Sequence, residues 1–231
     1  MTTTQDLAYS IIPSRPNTTI TLVGNVSHFL FTYNNGKEIH NGSLEIHGHA
    51  SSSNTVINDH GREILTNGAH STNTVINSFG LQFLLSASHS SSTLINDGGI
   101  QYVGSASVSS DTIINKGGIE VVDRAGVANR TTINDGGFLV AVGNIEEINF
   151  GANSHTARVN VVDVTNISGT ISNWQAGDII HVDNQTSVSG DNSHITLNGT
   201  TTLSLSDLQA GMKVVGVASS QGGTDLVLAS I

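Results

Sequence analysis

Asn54-Thr-Val-Ile-Asn-Asp-His-Gly61 is restated as Asn73-Thr-Val-Ile-Asn-Ser-Phe-Gly80, Ser92-Thr-Leu-Ile-Asn-Asp-Gly-Gly99, Asp111-Thr-Ile-Ile-Asn-Lys-Gly-Gly118 and Arg130-Thr-Thr-Ile-Asn-Asp-Gly-Gly137. Each copy begins 19 residues after the last, so the step is constant across five statements. Four columns result. Thr55, Thr74, Thr93, Thr112 and Thr131 form one, and Ile57, Ile76, Ile95, Ile114 and Ile133 a second. Asn58, Asn77, Asn96, Asn115 and Asn134 form a third, beside Gly61, Gly80, Gly99, Gly118 and Gly137. A fixed short period means that each unit packs on its neighbours in a stack.

Composition agrees with a stack. Among 231 residues aromatics are 4% and charged residues 11%, so a large aromatic core is excluded and burial falls to Val, Ile, Leu and Thr, which suit tightly spaced strands. The two prolines, Pro13 and Pro16, precede the repeats, where they interrupt no ladder. Two or three short strands joined by tight corners fill 19 residues, the rung of a parallel β-helix with rungs about 4.8 Å apart. The Asp97-Gly-Gly99, Lys116-Gly-Gly118 and Asp135-Gly-Gly137 phrases mark one corner. Gly68, Ala87, Ala106 and Ala125 mark another.

The expected fold is therefore all-β: a solenoid with an atypical N-terminal cap over residues 1–35, a repeat helix over 36–143, and irregular coils with a C-terminal β cap over 144–231. Cap strands are expected at Thr18–Val23 and His28–Tyr33, and a degraded first coil at Gly36–His49. Alternating segments at 157–162, 178–183, 194–198 and 224–228 belong to the C-terminal region, with Ser206–Ala210 as its most helix-like stretch. Within a rung, the apolar slot Ile64, Phe83, Tyr102, Val121 and Val140 reads as inward, and the slot before it, Glu63, Gln82, Gln101, Glu120 and Leu139, as solvent-facing. The Thr and Asn columns read as structural ladders, each side chain bonding its own copy one rung away.

Charge and motif content narrow the function. Formal net charge is −10, with eight Lys and Arg and no basic stripe, which argues against nucleic acid. The absence of Cys removes disulfides and thiolate metal sites. No stretch approaches the roughly 20 apolar residues of a membrane helix, so no membrane insertion is expected. His40, His47 and His49, and the pair His70 and His89, are the histidines to weigh as metal ligands, but the pattern places no third ligand beside them. The Asp-Gly-Gly turns lack the nine-residue period of calcium-binding repeats. Acids at Glu63, Glu120, Asp123 and Glu146-Glu147, and later Asp163, Asp178 and Asp183, form no nucleophile-base-orienter set, so no catalytic residue and no cofactor are expected.

The unit, clearest in Asp111-Thr-Ile-Ile-Asn-Lys-Gly-Gly-Ile-Glu-Val-Val122, resembles the AIDA-type repeat of autotransporter adhesin passengers, in which Asn-Thr-Val-Ile-Asn-x-Gly-Gly recurs at this period. The resemblance covers residues 36–143 and implies a right-handed parallel β-helix, secreted or on a bacterial surface, whose partners are itself or surface glycans. Some such passengers are O-glycosylated on Ser by heptosyltransferases. By that resemblance Ser53, Ser71, Ser90, Ser91, Ser92, Ser109 and Ser110 are candidate acceptors and a glycosyltransferase is a candidate partner, although Ser is also common at corners for turn reasons. The segment from Trp174-Gln-Ala-Gly-Asp178 to Gly222-Gly-Thr-Asp-Leu226 is similar to the one joining such repeats to a self-splicing Hint domain. A stalk that spaces a neighbouring domain and a glycan-acting enzyme are the alternative readings.

Overall fold

The structure, a computed structural model, describes residues 20–23, 34–184 and 186–231. It is a parallel β-solenoid of about eight turns, each with three faces. The third face is the most regular: Ser43–His47, Arg62–Thr66, Leu81–Leu84, Ile100–Val103, Ile119–Val122, Phe138–Ala141, Arg158–Val161 and Ile179–Val182 stack in parallel. The first face stacks His70–Thr72, His89–Ser91, Val108–Ser110 and Val127–Asn129, and the second stacks Val75–Ile76, Leu94–Ile95, Ile113–Ile114 and Thr131–Ile133. In Ser51–Asn58 the first two faces run on as one strand. The corner between them bends at Asn54, Asn73, Ser92, Asp111 and Arg130, each with φ between 51° and 56°.

At the N-terminal end Ile20–Val23 lies parallel to residues 37–40, so the stack continues there as another rung; the expected strand at His28–Tyr33 falls outside the described residues. Ser43–His47 pairs with Arg62–Thr66 in the position of a first coil. At the other end the parallel third face persists beyond Gly143, its step lengthening from 19 residues to 20 between Phe138 and Arg158 and 21 between Arg158 and Ile179. Pairing then turns antiparallel. Thr224–Ser230 closes the third face against Ile179–Val182 and forms a hairpin with Met212–Ala218. Val188–Gly190, His194–Leu197 and Thr201–Ser206 form an antiparallel meander whose last strand lies parallel to Thr170–Ser172. No helical turn forms at Ser206–Ala210. That stretch ends a strand and enters a bend, and among the described residues the one short 3-10 helix is Val164–Asn166, where the Asp163 side chain accepts from the Thr165 amide.

Two Gly requirements shape the corner after the Ile strand. The first, at Gly98, Gly117 and Gly136, is conformational, with φ near +73° to +75°. The second belongs to the invariant column: a Cβ on Gly99 would sit 2.6 Å from the Ile76 carbonyl oxygen of the rung below. Gly is there because neighbouring backbones touch.

The interior departs from expectation on the third face. Glu63, Gln82, Gln101 and Glu120 are fully buried, whereas Ile64, Phe83, Tyr102, Val121 and Val140 are half-exposed on the exterior. The expected phase is inverted. Leu65, Leu84, Val103, Val122 and Ala141 form the second inward column, so both phases of this strand carry an apolar column and polarity alone misleads. Burial of the polar column is supported by partners. Gln82 Nε2 donates to Glu63 at 2.7 Å and Gln101 Nε2 to Gln82 at 2.7 Å, while Ser52, Ser71, Ser90 and Ser109 of the first face bond Glu63, Gln82, Gln101 and Glu120. A buried polar group with a bond costs little, and one without costs about 1–3 kcal/mol.

The Thr column is inward as well, but its hydroxyls do not bond one another. Thr74, Thr93, Thr112 and Thr131 reach across to the Glu/Gln column, and Thr55 Oγ1 has no partner because Leu44 occupies the slot one rung below Glu63. Thr74, Thr112 and Thr131 donate to that column, and Thr93 accepts from Gln101 Nε2. The remaining core is aliphatic: Ile39, Ile57, Ile76, Ile95, Ile114 and Ile133 in one pile, followed by Phe150 against Trp174.

Candidate functional site

With the interior filled, the exterior columns and shallow surface grooves remain for binding. The Asn column edges the second face, and its amides form a continuous chain: Asn77 to Asn58 at 2.7 Å, Asn96 to Asn77 and Asn115 to Asn96 at 2.8 Å, and Asn134 to Asn115 at 2.7 Å. Because these amides are half-buried and engaged with each other, they hold the corner in register and offer little to a ligand.

The candidate serines divide into two sets. Period-two alternation on the first face turns Ser71, Ser90 and Ser109 inward, where they bond Gln82, Gln101 and Glu120. Their hydroxyls are therefore closed to any enzyme acting on the folded protein. Ser53 is also buried, although it shares the outward slot of Thr72, Ser91 and Ser110. Ser91 and Ser110 are half-exposed and Ser92 is exposed at the left-handed corner. Sequence reasoning passed over Ser78, Ser86 and Ser105, which are exposed at the other corners; their positions one or two residues before the corner Gly or Ala were the available signal.

The histidines are dispersed. His40 Nδ1 lies 2.9 Å from Asp59, His47 pairs with Glu45 and Thr66, and the His70 and His89 rings stack at 5.2 Å. His70 is held below the ordinary histidine range by burial, then by His89 and His49. Among the described residues no three His, Asp or Glu side chains converge as a metal site would require. Asp178 is buried and accepts from Ser154 and from the amides of Ala157 and Gln175, with burial raising its pKa; it fastens a corner.

One groove, of about 510 Å³, lies on the second face near the C-terminal end and is lined by Asp111, Ile113, Arg130, Thr132, Asn149 and Ser172. Arg130 grips Asp111 with two bonds of 2.7 and 2.8 Å across one rung, which fixes the groove wall. Hydroxyls, an amide and the exposed Ile113 give it the mixed character that suits a polyhydroxylated ligand. Another, of about 370 Å³, lies outside the third face under the Ser219–Gln221 turn, with Arg158, Asn160, His181 and Asp225 in its wall. His181 Nδ1 is 2.6 Å from Asp225, but Nε2 faces Asp183 at 3.5 Å instead of a serine hydroxyl, so no charge-relay geometry is formed.

Residues 76–137 match a family model described as AIDA, the adhesin of the bacterial autotransporter system, probable stalk. Among solved structures the chain is similar to a TibC-catalysed, hyper-glycosylated fragment of TibA, with a TM-score of 0.56 and 25% identity over 71% of this chain. That match covers 56% of the TibA fragment, so this chain spans little more than half of its length. No curated protein matches the sequence.

Proposed function

We propose that this chain, whose repeats are of the AIDA autotransporter-passenger type, acts as a non-catalytic surface-displayed or secreted passenger segment, working through its exterior in adhesion or self-association. The observation that carries this reading is the uninterrupted third face, eight parallel strands from Ser43 to Val182 over an interior filled along its length. Such a rod repeats an apolar exterior over its middle rungs, from Leu81 to Val140, so weak contacts add along that stretch. Half-exposed Leu81, Ile100, Ile119 and Phe138 beside Phe83 and Tyr102 supply an apolar strip for those contacts.

The test is display of the chain on beads followed by turbidity measured against salt. With a net charge of −10, self-association strengthens as salt screens repulsion between copies. Turbidity independent of both salt and protein concentration rules self-association out.

The stalk reading is favoured by the family description itself and by the constant step. Deleting one whole 19-residue unit then shortens reach in proportion while binding by the remainder persists, whereas an adhesive site loses function at one particular deletion. The likeness to a hyper-glycosylated fragment supports a third element: a glycosyltransferase partner acting on corner serines Ser91, Ser92 and Ser110.

A further inference from the structure

The buried column on the third face has a direction. Gln82 Nε2 donates down to Glu63, and Gln101 Nε2 donates down to Gln82 Oε1. The next acceptor in line is Gln101 Oε1, which receives only the Thr112 hydroxyl at 3.3 Å. The residue in register directly above it is Glu120, where the two rungs below place a donating amide. Glu120 itself is fully buried and takes hydroxyl protons from Ser109 and Thr131 on its two oxygens. Above it stands Leu139, and beside Leu139 Ala128, so nothing donates from that side.

The groups facing Glu120 from all three faces are Gln101, Leu139, Ser109, Ala128, Thr112 and Thr131, none of them cationic. The other ionisable side chain in the column is Glu63, three rungs away or about 14 Å. An ionised Glu120 would set a charge against the Gln101 carbonyl oxygen with no counter-ion. We propose that Glu120 is a buried proton-binding site: a neutral carboxylic acid whose O–H donates to Gln101 Oε1 and completes the ladder, opposite Glu63, which is acceptor only at the lower end.

Burial raises the Glu120 pKa from 4.5 to about 7, against the smaller opposing effect of the two hydroxyls. Between those values the folded chain holds a proton that the unfolded chain has released. Stability attributable to this group is complete below pH 4.5 and falls as pH rises through about 7. The Glu120 contribution to stability is thus greater in mildly acidic surroundings.

The experiment is urea unfolding of the whole chain from about pH 4 to about pH 8, a window that brackets both values, for wild type and Glu120→Gln. The amide donates to Gln101 as Gln101 does to Gln82, so the variant unfolds at a higher urea concentration than wild type at the alkaline end, with the difference shrinking on acidification. Parallel pH profiles for the two proteins overturn the proposal. A second measurement does not depend on the variant folding: infrared spectra of wild type labelled with carbonyl-¹³C glutamate at about pH 6, between the unfolded and folded values. A protonated glutamate band that vanishes on unfolding and is missing from Glu120→Gln supports the site, and its absence from folded wild type refutes it.

Discussion

Ser109 and Glu120 are 11 residues apart and meet in the interior through a bond from the hydroxyl to the carboxyl group, and one rung higher the same two slots hold Ala128 and Leu139. The third inward slot follows one rung later: Thr131, which still bonds Glu120, shares the rung of Ala128 and Leu139 and gives way in register to Ile148. At this end polar side chains therefore leave the core together with their bonding partners, whereas at the other end Thr55 enters without one. A lone polar residue in such a stack would bear the cost of a missing partner, and the paired replacement avoids it.

That coupling predicts non-additive substitutions. Gln101→Leu removes the donor to Gln82 Oε1, Ser90 and Thr93 and the acceptor of Thr112, so with four buried groups left short it destabilises by about 4 kcal/mol or more, at about 1–3 kcal/mol for each group that finds no other partner. Ser90→Ala costs less, about 1 kcal/mol, because Gln101 Nε2 keeps Gln82 and Thr93. The double variant loses less than the sum, and a double-mutant cycle in urea measures the difference. Additive losses would show that the two side chains do not share a bond.

The corner glycines predict a positional contrast. Gly99→Ala forces a methyl against the Ile76 carbonyl at 2.6 Å and must push neighbouring rungs apart, which puts it at or above the roughly 1–3 kcal/mol typical of overpacking. Gly199→Ala, at φ +70° with nothing within 4 Å of the added carbon, carries only the left-handed strain of about 1 kcal/mol. Thermal unfolding of the two variants ranks them, and equal shifts would contradict the contact.

For the Asn chain the prediction concerns position within the ladder. Asn96→Ala removes two bonds, its own to Asn77 and the one it accepts from Asn115, whereas Asn134→Ala removes only the bond to Asn115. The mid-ladder substitution costs about 1–2 kcal/mol and the terminal one about half of that, at about 1 kcal/mol per half-buried bond. Chemical denaturation distinguishes them.

These contrasts also show which features of the fold were legible. The Thr-x-Ile-Asn-x-x-Gly phrase carried the period, the parallel stacking and the inward Ile pile, because a fixed step forces like residues onto like. The phase of the third face was not legible from polarity, since Glu63, Gln82, Gln101 and Glu120 are buried by virtue of partners 11 residues away on another face. The signal existed in the joint change to Leu139 and Ala128. Alternation at 224–228 marked the closing strand, but nothing in it gave the antiparallel pairing with Ile179–Val182, and the second-face groove arises where the repeat ends.

The stacked pair His70 and His89 predicts a titration of opposite sign to that of Glu120. Burial and two neighbouring imidazoles depress the His70 pKa below 6.5, so the folded chain resists taking up a proton that the unfolded chain accepts. Stability from His70 is present above pH 6.5 and is lost as pH falls through the depressed value. Proton NMR of the ring signals follows His70 directly: its midpoint lies below 6.5 and rises in His89→Ala. A His70 midpoint unchanged by that substitution would exclude the coupling.

Glycosylation by the class of enzyme that modifies the TibA fragment should follow exposure, and the alternation of the first face makes this a sharp test. Ser91 and Ser110 stand one residue from Ser90 and Ser109, so any preference between neighbours cannot come from composition and must come from which way the strand turns each hydroxyl. On the folded chain treated with TibC and an activated-sugar donor, site-resolved mass spectrometry is expected to find sugar at Ser91, Ser92 or Ser110 and none at Ser71, Ser90 or Ser109. Adding sugar to Ser109 would require breaking its bond to Glu120 and opening the stack. Modification of the inward serines on the folded chain would mean that the stack opens to the enzyme and that exposure does not decide the acceptor, and modification of none would remove the glycosyltransferase from the set of partners.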